Sequence, residues 1–236
     1  ELTPRLKAVF VSSKSICFGQ FIVDVPATAT LVYGPASVER PIKYFPGESR
    51  LIDDHINTQL IEIEKDRKFL TKDDVTKFPL FGKVTDGGMP GQKLVFGSLE
   101  QIGYTIYSFI PIDNDLYVQT VAYAASTDDA IAELNKVAKN LRLRDPDEIP
   151  TEVGTCIDGG FIGLRPQYEY ISLGVRLKEF PDVHFSVQLT RNHDYIPERS
   201  DLEARLKAAE KNGGNWHSRV KYFRRAPRQI GSWSGA

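Results

Sequence analysis

The side chains best able to do chemistry in this 236-residue chain are four histidines, two cysteines and a scatter of acids and hydroxyls. His55, His184, His193 and His217 have no second His, Cys or acid at the spacing of a helical zinc motif or a Cys-x-x-Cys pair, so no metal centre is expected. His55 stands beside Asp53 and Asp54 on a helical stretch and reads as a solvated face, while His184 falls in the alternating run DVHFSVQL and reads as a strand residue. His193-Asp194 has the composition of a general-base pair, because an acid beside an imidazole can orient it. Adjacent residues of an extended chain point apart, however, and a polar loop is the plainer reading. Gly231-Ser232-Trp233-Ser234-Gly235 fails as a hydrolase elbow, since Trp rather than Ser is central. Gly87-Gly88 and Gly159-Gly160 belong to no phosphate-binding loop, and neither cysteine has the basic surroundings of an activated thiolate.

What remains is binding chemistry. Tyr33, Tyr44, Phe45, Tyr168, Tyr170 and Tyr195 sit in polar, turn-rich settings, and tyrosines there favour an interface. Residues 211–236 carry six basic side chains and no acid, interleaved with Trp216, Tyr222, Phe223 and Trp233. Such a stretch can hold single-stranded nucleic acid, or be the wet face of a strand. The whole-chain balance of 30 basic against 31 acidic residues, net −1, argues against a general polyanion binder. With 41% hydrophobic and 26% charged residues the composition is that of a globular protein, and no run approaches a membrane span. The only methionine is Met89; the chain opens on Glu1 without an apolar targeting segment and ends in GSWSGA, and we read both ends as cut.

The elements that must position these groups are legible from periodicity. Cys17–Val25 reads as one strand ended by Pro26, and Thr28–Tyr33 as a second, stopped by Gly34-Pro35. Leu51, Ile52, Ile56, Leu60 and Ile63 share a stripe, giving a helix over 50–70, followed by a strand near Phe81. Strands over 93–100, 104–112 and 116–124 follow, the last two joined by an Asp113-Asn114-Asp115 turn. Ser126 with Asp129 opens a helix whose inner face is Ile131, Leu134, Val137, Ala138 and Leu141. Asp145–Pro150 is linker-like, with two prolines and three acids. Strands over 156–164, 169–179 and 182–190 come next, then a helix opened by Ser200-Asp201-Leu202-Glu203 and stopped at Gly213-Gly214. The two halves echo one another: CFGQF and CIDGGF each open a set of strands before a helix. The reading is therefore α+β, with two similar domains (1–144 and 156–236, linked by 145–155), each a mostly antiparallel sheet flanked by helices, the second incomplete.

Cys17-Phe18-Gly19-Gln20-Phe21-Ile22-Val23-Asp24-Val25-Pro26 resembles the C-x-G-[RK]-F-x-[IVL]-D-[VL]-P opening of the type VI secretion lipase immunity proteins, with Gln20 in place of the usual basic residue. Cys156-Ile157-Asp158-Gly159-Gly160-Phe161-Ile162 resembles the opening of that family's second domain, and Arg228-Gln229-Ile230-Gly231 its closing stretch without the acids that follow. The resemblance implies a periplasmic, exported inhibitor that neutralises a secreted phospholipase toxin and is not itself an enzyme. It implies a monomer that grips the toxin's lid in a 1:1 complex, using no cofactor and no nucleic acid. It also allows a Cys17–Cys156 disulfide tying the two halves. The expected contacts come from loops at one end of each sheet: Asp113, Asn114 and Asp115 in the first half, and Tyr168, Asn192, Asp194 and Tyr195 in the second. The rivals are a hydrolase using His193 and Asp194, and a nucleic-acid module using the basic end.

Overall fold

The computed structural model describes residues 4–99, 103–191, 207, 211, 228–230 and 233–235. The chain divides into a large unit, 1–191, and a small one, 192–236. The large unit opens with helix α1 (Pro4–Val9) and strands β1 (Ser13–Phe18), β2 (Phe21–Pro26), β3 (Thr30–Val38) and β4 (Arg40–Phe45). Helices α2 (Ile52–Asp66) and α3 (Lys72–Lys77) follow, then β5 (Val84–Asp86), β6 (Lys93–Leu99), β7 (Gly103–Ile112), β8 (Asp115–Ala124) and α4 (Thr127–Asn140). Short strands β9 (Leu141–Leu143), β10 (Thr155–Ile157) and β11 (Gly160–Ile162) lead to the long β12 (Glu169–Leu177) and β13 (Phe180–Arg191). In the small unit β14 (Arg228–Ile230) pairs antiparallel with β15 (Trp233–Gly235).

The α+β class and its antiparallel pairing are as the sequence predicts. Helix α2 buries Ile56 and Ile63, and α4 buries Ala130, Leu134, Val137 and Ala138, the stripes given by their 3.6-residue periods. The Ser126 hydroxyl caps α4 by accepting from the Asp129 N–H at 3.3 Å. The meander β6–β7–β8 also forms as read.

Elsewhere the local pattern misleads. Residues 17–25 are two strands of a hairpin, because Gly19 takes φ +59° and turns the chain. β3 does not stop at Gly34-Pro35; it continues to Val38, and a register shift between Ile171 and Leu173 of its neighbour absorbs the irregularity. Phe81 lies in a turn, its N–H on the Phe78 carbonyl at 3.0 Å, and packs in the core. Residues 156–164 are the hairpin β10–β11 turning at Asp158-Gly159. Of the helix read over 201–212 only Lys207 and Lys211 are described; both are helical and exposed.

The order of the main sheet is β13-β12-β3-β4-β8-β7-β6-β5. Strands from both sides of the Asp145–Pro150 segment therefore lie in one sheet, β12 against β3 in antiparallel register. A second sheet, β10-β11-β9, also straddles the segment. The acid- and proline-rich stretch is thus a connection inside the compact unit, and one core cluster holds Ile16, Val38, Tyr117, Val137, Ile157 and Ile171 together.

Candidate partner-binding site

Among the described residues no group of three or more His, Cys, Asp or Glu side chains could hold a metal ion. His55 Nε2 lies 2.6 Å from Glu48, with its ring against Phe45. His184 sits in β13 opposite Arg176. His193, Asp194 and His217 fall outside the described residues, as do the side chains of the basic C-terminal stretch beyond Lys211.

Among the described residues two adjoining concavities, of about 260 and 680 Å³, form the lobes of one cleft. Both are lined by Tyr33 of β3, Tyr44 of β4 and Asp158 of the β10–β11 turn. Tyr44 Oη donates to Asp115 Oδ2 at 2.8 Å, and Asp115 Oδ1 accepts from the Gly47 N–H at 2.7 Å. The Tyr44 ring stacks on Tyr117, centroids 4.9 Å apart. Gly159, at φ +64°, lies against the Tyr44 ring so closely that a Cβ would overlap it.

Arg144 closes the back of the cleft and is only 5% exposed. Its Nη1 donates to the carbonyls of Asp145, Pro146 and Glu148 at 3.0–3.3 Å, Nη2 to Ile157 and Tyr33 Oη, and Nε to Gly160. Burial holds the half-buried Asp158 carboxyl above the ordinary aspartate range, against the pull of Arg144. Burial and the Asp115 carboxylate push the Tyr44 hydroxyl up to about 12, so it stays a donor at neutral pH. The site supplies aromatic faces, one neutral donor and carboxylate acceptors, which is recognition chemistry.

The expected contact residues divide. Ser49 donates through N and Oγ to the carbonyls of Asn114 and Asp113 at 2.9 and 2.7 Å, fixing the β7–β8 turn with Asp113 and Asn114 exposed. Asp115 lines the larger lobe. Tyr168 is 44% exposed and is held by Glu39, whose N–H donates to the Tyr168 carbonyl at 2.9 Å. Register places the 113–115 turn beyond the Phe45 end of β4 and Tyr168 beyond its Arg40 end. They stand at opposite ends of that strand, roughly 17 Å apart at 3.3 Å per residue. Asn192, Asp194 and Tyr195 lie outside the described residues. Asp158 was not legible as a site residue: its place beside Tyr33 and Tyr44 depends on a hairpin that closes only through β9.

Cys17 and Cys156 are joined in a disulfide, Cα to Cα 5.8 Å, beside paired backbone bonds between Gly19 and Cys156. Close by, Gln20 Nε2 donates to Glu169 Oε2 at 2.5 Å, while Arg191 Nη1 donates to Gln20 Oε1 at 3.4 Å. Glu169 is 2% exposed, and burial raises its carboxyl above the ordinary value near 4.5 despite Gln20 and Arg191. The folded state thus holds a proton that the unfolded chain releases, and that share of stability is complete below about pH 4.5 and lost as pH rises through the folded value. Urea unfolding of Glu169→Gln is expected to show a shallower loss of stability with pH over that window than the parent. Asp158, which shifts in the same direction, contributes to the residual slope, and the lowered carboxyls of Asp74, Glu148, Glu152 and Glu179 oppose it at the acid end of the window. Parallel curves for the two proteins would refute a titrating Glu169.

Residues 148–236 match the family model of the Tle cognate immunity protein 4 C-terminal domain. No curated protein matches by sequence. Among solved structures, the apo immunity protein TplEi of the T6SS from Pseudomonas aeruginosa is similar at TM-score 0.69 and 18% identity, over 94% of this chain and 74% of that one. TplEi complexed with the "L" peptide gives 0.67 and 19%, over 95% and 73%. The Tle4–Tli4 complex gives 0.70 and 19%, over 94% and 72%. At these identities the likeness is one of fold, and it runs through nearly the whole chain. The family whose second-domain opening Cys156–Ile162 resembles is the one whose C-terminal-domain model matches residues 148–236.

Proposed function

We propose that this chain, whose residues 148–236 match an immunity-protein domain, binds and inhibits a cognate type VI secreted phospholipase or lipase toxin. The observation that carries the reading is that family match. The solved neighbours support it, since one is an immunity protein holding a peptide and another is a toxin–immunity complex. The chain acts by binding rather than catalysis. An interfacial lipase must move a lid before lipid enters, and an inhibitor that grips the lid from two sides keeps it shut. The contacts in this reading come from Asp113, Asn114 and Asp115 before the 145–155 connection and from Tyr168, Asn192, Asp194 and Tyr195 after it. The buried disulfide favours an oxidising compartment, here the periplasm.

A lethal toxin must be held at nanomolar affinity or better, about −12 kcal/mol. Such affinity calls for roughly 1,600 Å² of interface, supplied here by a monomer in a 1:1 complex. Titrating this protein into its cognate lipase is expected to abolish phospholipase activity at one equivalent. Full activity at excess inhibitor, with no complex on gel filtration, would refute the reading. The protein would then be assayed for its own hydrolase activity and for salt-sensitive retention on heparin.

A further inference from the structure

The two lobes share Asp158, whose carboxylate is met by the Gly159 N–H and drawn by Arg144 but makes no side-chain hydrogen bond or ion pair among the described residues. Of the other charged groups around it, Lys14 in the larger lobe and the exposed Lys43 in the smaller make no ion pair with it among the described residues, and the rest are committed or lie at the mouth. Asp115 is held by Tyr44 and Gly47, and Glu148 takes the guanidinium of Arg142 at 2.7 Å. Arg144, the cation that pulls on Asp158, is committed through all three nitrogens to carbonyl oxygens and Tyr33 Oη. Asp145 is exposed at the mouth. A half-buried carboxylate without a bonded cation is costly, and it gains most from a charge brought in by a partner.

The walls say which cation fits. Tyr33 and Tyr44 line both lobes with Asp158, and flat aromatic faces favour a planar, weakly hydrated cation over a compact ammonium. Asp115, Asp145, Glu148 and Asp158 outnumber Lys14 and Arg144 around the larger lobe, so an anion such as a phosphate group is disfavoured. We propose that this cleft receives an arginine side chain of the protein partner, its guanidinium on the Asp158 carboxylate and its faces against Tyr33 and Tyr44. The partner's identity as a protein toxin rests on the function proposed above; the chemistry of the cleft does not. Interface anchors are often arginines that fill a pocket near the centre of a contact, and a cleft of 680 Å³ can admit the side chain with neighbouring backbone.

Two measurements test this with separate failures. In the first, Nα-acetyl-arginine-N-methylamide is titrated into the 15N-labelled protein. Shifts at the amides of Asp158, Gly159 and Tyr33 are expected, absent in Asp158→Asn and weaker with the lysine analogue. No localised shift, or one that survives in Asp158→Asn, overturns the proposal. In the second, the affinity of Asp158→Asn for the toxin is measured in the complex that the parent forms. A loss of roughly 10–100-fold in Kd is expected, whereas a change within about twofold overturns the proposal. If the parent forms no complex at all, the immunity reading fails, and the arginine titration alone decides the cleft. Asn is isosteric and removes a half-buried charge, so the variant is expected to unfold no more easily than the parent.

Discussion

Opening the Cys17–Cys156 bond is expected to lower the stability of the large unit by about 4–5 kcal/mol, a fall of roughly 10–20 °C in Tm for a unit of this size. The magnitude follows from the loop the bond closes. The two residues are 139 apart in sequence, so in the unfolded chain the bond removes far more freedom than a short-range one would. The native side needs little rearrangement: Gly19 and Cys156 already exchange backbone hydrogen bonds at 3.0 and 2.8 Å, and Cys156 is fully buried. Those bonds and the Gln20–Glu169 contact persist in a reduced protein, so it is expected to fold as a looser version of the same structure. Differential scanning with and without reductant reads the shift, and intact mass confirms the gain of two hydrogens. A Cys17→Ser, Cys156→Ser protein should unfold like the reduced parent. Equal Tm for oxidised and reduced protein would refute the assignment of this bond as a main tie. Cys156 also sits two residues before Asp158 on the hairpin that forms the cleft wall.

Which elements were readable follows from how local their causes are. The helices α2 and α4 announce themselves by period and, for α4, by a serine cap; the β7–β8 hairpin announces itself by three turn residues between alternating strands. Gly19 and Gly159 carried the missed hairpins. Residues 17–25 and 156–164 each read as one strand, although Gly159-Gly160 has the composition of a turn, and the positive φ of Gly19 and of Gly159 reverses the chain. The 145–150 stretch was the largest mismatch. Its prolines and acids are those of a solvated linker, yet it joins β9 to β10 of one sheet, and both that sheet and the main one take strands from either side of it. Nothing within those six residues shows that the next strands return to β3 and β9, because that is decided by pairings more than 100 residues apart in the first case. The site followed the same rule. Tyr33, Tyr44 and Asp115 stand out as aromatics and a turn acid in sequence, but Asp158 joins them only through non-local pairing, and Tyr168 is carried to the far end of β4.

Arg144 is the residue that makes this connection hold its shape, and Arg144→Met is expected to cost about 3–5 kcal/mol. One buried guanidinium donates to the carbonyls of Asp145, Pro146, Glu148, Ile157 and Gly160, gathering both ends of the 145–160 segment onto one group. Methionine replaces much of the apolar stem but none of the donors, leaving carbonyls without partners where water has poor access. Arg144→Lys is expected to recover less than half of the loss. An ammonium is a compact point donor, and these carbonyls are arranged around a planar fork. Urea unfolding gives the cost, and limited proteolysis says where it falls. Cleavage within 145–154 at urea concentrations that leave the sheet intact would show the segment released by itself, as expected if Arg144 alone pins it. Loss of the whole unit at one midpoint would instead place Arg144 in the common core. A parent-like midpoint for Arg144→Met would remove its structural role altogether. A second signature separates this role from packing. Arg144 draws the Asp158 carboxyl down against its burial, so Arg144→Met is expected to raise the Asp158 titration further, followed by the Gly159 amide in NMR. If the proposed function holds, the same variant is expected to weaken binding of the partner by more than its effect on folding explains, because Tyr33 loses the guanidinium bonded to its hydroxyl and Asp158 the cation that draws on it.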